Sequence, residues 1–174
     1  MRGALSRIAD SLLDYLSDPK TRLPRRLSLR EVTRKVRRAH SQYGGASIHL
    51  YFGDLEGHML LAVSLYPERT SGRELPSELI AGFCRQSHAL LQDPRLVVGT
   101  WYNSDEDVTY LDVTAVFVER QEAISLAEAY NQIAVYDLKE HSEIQIGGTG
   151  EEVPEMPQES QRLPPLARTE QKEK

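Results

Sequence analysis

The chain has one cysteine, Cys84, and one tryptophan, Trp101, among its 174 residues. A lone cysteine excludes an intramolecular disulfide and makes a reducing, cytoplasmic setting the expectation. No apolar run approaches the roughly 18 residues that a membrane span needs. The early apolar residues Leu5, Ile8, Leu12, Leu13 and Leu16 are interrupted by Asp10 and Asp14, so the continuous apolar stretch of a secretory signal is missing. The five histidines (His40, His49, His58, His88, His141) fall in five different elements or turns. None has the spacing of a zinc site, so no metal is expected. Gly147-Gly148-Thr149-Gly150 lacks the lysine and following helix of a phosphate loop, and no cofactor is expected. No nucleophile stands at a diagnostic spacing from a base.

What is present is ordinary globular material, 40% hydrophobic and 27% charged. The net charge of −5 is spread unevenly. Lys20, Arg22, Arg25, Arg26, Arg30, Arg34, Lys35, Arg37 and Arg38 fall in one short stretch opposed only by Glu31, and everything after Ala46 is acidic overall. Composition divides the chain in three. Residues 1–27 read as an amphipathic helix (Gly3–Ser17) followed by a basic tether with two prolines. Residues 28–150 read as an α+β domain. Residues 151–174, rich in Glu, Gln and Pro, cannot bury enough surface to offset their ordering entropy and are expected to be disordered.

Within the central domain one pattern occurs three times: an amphipathic helix, then two β-rich segments joined by a short polar turn. The helices are expected at Ser28–Tyr43, Ser77–Gln92 and Arg120–Gln132, and the hairpins at Ala46–Tyr66, Leu96–Val118 and Ile133–Gly147. Ser28 with Glu31 makes a capping box, and Gly44-Gly45 ends the first helix. Ser77 is read as the cap of the second. Around a four-residue turn at Asp54–Gly57, Ile48, Leu50, Phe52, Met59, Leu61, Val63 and Leu65 would share one face. In the second hairpin, loops of four and five residues at the acidic tip fit equally, so the partner of Trp101 stays open. The expectation is an α+β fold with an antiparallel sheet of about six strands, built from three helix-plus-hairpin units with the helices mainly on one face.

Two sets of residues point to chemistry. Arg30, Arg34, Arg37 and Arg38, at i, i+4, i+7 and i+8, share one helical face with Lys35 beside it, roughly opposite the apolar stripe. Arginine grips phosphate and carboxylate through its planar fork. A strip of this kind reads as a contact for nucleic acid or an acidic protein, or as a solvated face neutralised by acids of the same chain. No aromatics interleave with it for base stacking. The second set is the polar sheet face. His49, Tyr51, Tyr110 and Asp112 would serve a small polar ligand or a His–Asp acid/base pair, or else form an ordinary wet sheet with cross-strand tyrosine pairs. A structural homo-oligomer, built on the N-terminal helix or a sheet edge, is the third reading. Cys84 falls in an apolar helix stripe and reads as a buried, inert thiol.

Gly99-Thr100-Trp101-Tyr102, Tyr110-Leu111-Asp112-Val113, the Asn131–Leu138 segment and Tyr66-Pro67-Glu68-Arg69 resemble a recurrent uncharacterised domain of bacteriophage and bacterial genomes. The resemblance covers about Ala46–Gly150 and not the basic N-terminal part. It implies a phage or mobile-element accessory protein working in a host cytoplasm, and carries no catalytic residues with it.

Overall fold

The computed structural model describes residues 14–16, which are helical, and residues 25–150. Most of the expected N-terminal helix and tether, and the expected disordered tail, lie outside the described residues. The elements in chain order are helix α1 (Leu29–Tyr43), strands β1 (Gly45–His49), β2 (Gly53–Asp54) and β3 (Leu61–Ser71), helix α2 (Ser77–Gln86), a 3-10 turn (Leu90–Gln92), strands β4 (Leu96–Asn103) and β5 (Val108–Phe117), helix α3 (Arg120–Ala129), and strands β6 (Ala134–Asp137) and β7 (Ser142–Gln145). The strands form one curled sheet in the order β2-β1-β4-β5-β3-β6-β7, antiparallel throughout. The α+β class and antiparallel sheet are as expected, with seven strands in place of about six.

Local chemistry explains the best-formed helix. In α1, Ser28 Oγ accepts the Glu31 amide while the Glu31 carboxylate accepts the Ser28 amide, a complete capping box. Arg25 adds a two-pronged ion pair to the same carboxylate. These hydrogen bonds, led by that from Arg25, hold the Glu31 pKa at about 2. At the other end Gly44 takes φ 75° and its amide returns to the His40 carbonyl, a conformation that glycine adopts without steric cost. Helix α2 is shorter than expected. Its N-cap is Pro76, and Ser77 instead accepts a hydrogen bond from Arg37 at 3.1 Å.

The second and third hairpins form, and the first does not. Asn103 pairs with Val108 across a four-residue tip, placing Trp101 opposite Tyr110, and Asp137 pairs with Ser142. Between β1 and β3, however, stand β4 and β5. The imidazole of His49 is the reason on the β1 side. Its Nδ1 accepts the amides of Tyr51 at 3.1 Å and Phe52 at 3.3 Å, turning the chain immediately after β1. Gly53-Asp54 then folds back on Ile48-His49 as a two-residue strand. The expected face therefore breaks up: Ile48, Leu50, Leu61, Val63 and Leu65 share a core, Phe52 packs on the opposite side, and Met59 is exposed. Strand β3 runs on to Ser71, past the expected end of the first hairpin at Tyr66, pairing with β5 along its length. Pro67 is tolerated there because β6 pairs only with Leu61 and Ala62, which leaves the outer side of β3 unpaired at Pro67.

The two sheet faces are covered differently. On one, α1, α2 and α3 contribute to a single large core with Ile48, Val63, Val98, Leu111 and Val113. On the other, the 55–60 loop crosses the sheet, held by the Leu55 amide on the Ser47 carbonyl and the Gly57 amide on the Leu138 carbonyl, both at 2.9 Å. It builds a small cluster from Leu55, Leu60, Ala62, Val97, Val116 and Leu138.

Candidate functional site

Helix α1 turns Val32, Val36 and Ala39 into the core. The 3.6-residue repeat then sends Arg30, Arg34, Arg37 and Arg38 outward, and all four are exposed. The expected strip is thus assembled as the sequence implied. It spans the gap between two neighbours. Arg37 reaches α2 through Ser77, and on the opposite flank the half-buried Lys35 lays its aliphatic stem 3.5 Å from where a Cβ would stand on Gly53. Beside it lies a cleft of about 320 Å³ lined by Arg34, Lys35, Arg38, Gln42, Tyr43 and Asp54. Among the described residues, none of the five cations is ion-paired with a carboxylate; the ion pairs found are Arg25–Glu31, Arg69–Glu106 and Arg95–Asp93, besides a 3.0 Å contact between His141 and Glu56. Arg25, in the tether, is engaged by Glu31, whereas no described carboxylate engages the strip.

The polar-face set does not form a pocket. His49 is 1% exposed. Its Nε2 bonds the Pro94 carbonyl at 2.8 Å and its Nδ1 serves the turn. Since Nδ1 accepts, the ring is neutral with its proton on Nε2, and burial holds its pKa below the usual histidine range. Both nitrogens are committed to the fold, so His49 is no acid/base partner for Asp112. Tyr51 lies beside it, ring centres 6.0 Å apart. Asp112 is buried at 5% exposure and accepts from Thr114 at 3.2 Å. Tyr110 shares the face of Asp112 but stacks on Trp101. The set expected as a pocket is in fact a turn-forming histidine, a surface tyrosine, a buried carboxylate and half of an aromatic pair.

His40 is likewise structural, bonded to Thr100 Oγ1 at 2.8 Å and the Arg73 carbonyl at 2.9 Å, and burial lowers its pKa. Cys84 is buried, and desolvation pushes its thiol up to about 11, outside the range of a reactive thiolate. No group of three or more His, Cys, Asp or Glu among the described residues is arranged to hold a metal. No described helix is long and apolar enough to cross a membrane.

One arrangement escaped sequence reasoning. The sheet register lines up Gly45, Trp101, Tyr110 and Arg69 across four strands. Trp101 and Tyr110 stack with ring centres 5.6 Å apart and planes at 20°, and the Arg69 guanidinium lies 5.6 Å from the Tyr110 ring. The available signal was the loop length: a four-residue tip puts Trp101 opposite Tyr110. Helix and site together define an antiparallel α+β domain with a basic helix face that pairs with no described carboxylate. No protein-family model matches the chain, and comparisons with curated proteins and with solved structures return no match.

Proposed function

We propose that this chain is a non-enzymatic binding module whose α1 strip docks on the phosphate backbone of a nucleic acid. The observation that carries this reading is the set of four exposed arginines on a rigid helix, unpaired with any described carboxylate. From Arg30 to Arg38 the strip runs about 12 Å along the helix. Duplex DNA presents one charge per roughly 1.7 Å of axis, so several phosphates lie within reach. Arginine forks suit their oxygens. Residues 47–150 hold sixteen acidic and six basic side chains. That net negative charge disfavours a polyanion on the rest of the domain and so favours its approach to the strip. An acidic protein surface is the competing occupant of the same strip. The motif resemblance supports reading such a module as a phage or mobile-element accessory protein.

Binding to duplex DNA and to RNA is measured at about 50 and 200 mM salt. Contact with four phosphates predicts a loss of roughly a hundred-fold across that range. Arg34→Glu combined with Arg38→Glu abolishes binding without lowering the melting temperature. Unchanged affinity in that double variant would eliminate the strip. Failure to bind either nucleic acid, with salt-sensitive binding to an acidic polypeptide such as polyglutamate, would transfer the strip to an acidic protein.

A further inference from the structure

The Trp101 platform lies on the sheet face opposite the core that α1 packs into, and the phosphate reading makes no use of it. Residues alternate across a strand, and Val98 and Thr100 point toward the helices, so Val97, Gly99 and Trp101 face the other way. The row they join is ordered from β3 inward. Arg69 is pinned by Glu106 at 3.0 Å and lies over Tyr110, and Tyr110 stacks on Trp101. The next position, on β1, is Gly45, which offers no side chain against the indole. A Cβ there would stand 3.0 Å from the Thr100 carbonyl oxygen, so the position is held clear by backbone. Trp101 is consequently 44% exposed, while Tyr110 is covered by its neighbours on both sides. The row repeats a simple order, cation over ring, ring over ring, and stops one member short at its β1 end.

We infer that Trp101 is a docking platform for an arginine-bearing segment of a protein partner, whose guanidinium fills the vacant place over the indole beside Gly45. Tryptophan has the strongest ring face for a cation, and guanidinium adds planar stacking to that attraction. Charge decides between a cation and a nucleobase. The adjoining hairpin tip carries Asp105, Glu106 and Asp107. Glu106 is matched by Arg69, Asp107 accepts the Tyr102 hydroxyl at 2.9 Å, and Arg73 lies 5.7 Å from the Tyr102 ring. Three acids against Arg69 and Arg73 leave the tip net negative by one charge, which attracts a guanidinium and repels the phosphates that accompany a base. The site takes a positively charged chain where α1 takes a negatively charged one.

Because Trp101 is the chain's one tryptophan, its emission reports on this place without a label. The full chain is titrated with a tetra-arginine peptide and with the matching citrulline peptide, which keeps the shape and lacks the charge. The expected result is a saturable emission change with arginine, and roughly five-fold or greater weakening with citrulline. Arg34→Glu with Arg38→Glu leaves this response intact, so it stands or falls separately from the phosphate reading. Asp105→Asn with Asp107→Asn keeps the indole and the left-handed backbone at position 107 (φ 50°), and weakens arginine-peptide binding several-fold. Trp101→Leu, followed by calorimetry, removes it. Equal responses to the two peptides would overturn the inference. So would a response to a single-stranded oligonucleotide but not to arginine. An emission change driven by protein concentration alone, and lost in Arg34→Glu with Arg38→Glu, would give the place to a second copy of the chain and likewise overturn it.

Discussion

The two faces of the sheet are built from the same strands, yet one is roofed by three helices and the other by a loop that leaves part of it bare. On the helix face, Leu111, Val113, Ala115 and Phe117 of β5 all enter one core. On the other face the same strand offers Tyr110, Asp112, Thr114 and Val116, of which only Val116 joins an apolar cluster. The helix face owes its cohesion to apolar area, which is nondirectional and tolerant in detail. The loop face depends on particular hydrogen bonds, above all those of His49, and on close approaches such as the one at Gly99. The first arrangement makes stability and the second leaves surface available for binding.

Three experiments sharpen or break this contrast. The largest loss is expected on the helix face. Ile48, fully buried in the large core, costs about 2–5 kcal/mol as Ile48→Ala, read from the denaturant midpoint at constant m-value. A cost under about 1 kcal/mol would mean that the helix-side packing does not carry the fold.

Next comes His49→Ala on the loop face. It orphans the Pro94 carbonyl and the amides of Tyr51 and Phe52, at a cost of about 2–3 kcal/mol. It also changes the pH dependence. Burial holds both His40 and His49 below the ordinary histidine value. The unfolded chain therefore takes up protons first as pH falls, and the native protein loses stability below about pH 6.5. Chemical denaturation at about pH 7.5 and 5.5 should show this fall, and His49→Ala should reduce it. A slope identical to the parent's would show that His49 is not held neutral by the fold.

The smallest effect tests the close approach. A Cβ on Gly99 would lie 2.1 Å from Thr114 Oγ1. Gly99→Ala must turn the Thr114 side chain and break its hydrogen bond to Asp112, costing about 1–3 kcal/mol. Adding Thr114→Ala should return part of that loss, and strictly additive effects would show that the two positions do not meet.

The same contrast governs what could be read in advance. The α1 strip was legible because it depends on one element. Its apolar stripe, capping box and arginine spacing all follow from a 3.6-residue repeat. The sheet-face set misled because composition places polar side chains on a face without saying which are consumed there. His49 looks like chemistry in the sequence and is spent on a turn. Trp101 and Tyr110 carried the opposite ambiguity, since their pairing hangs on a single residue of loop length.

Sequence alone determined the class, the helix starts to within a residue, two of the three hairpins and the outward arginine face, since each rests on neighbours within about twenty positions. Tertiary structure alone decided that β1 pairs with β4 and β3 with β5. Only it could settle that the histidine in β1 bends the chain away from its expected partner, or that a glycine, two aromatics and an arginine from four strands fall into one row. Strand order is chosen by competition among many apolar edges of similar pattern. That competition is resolved by the packing of the whole chain, and no local repeat records its outcome.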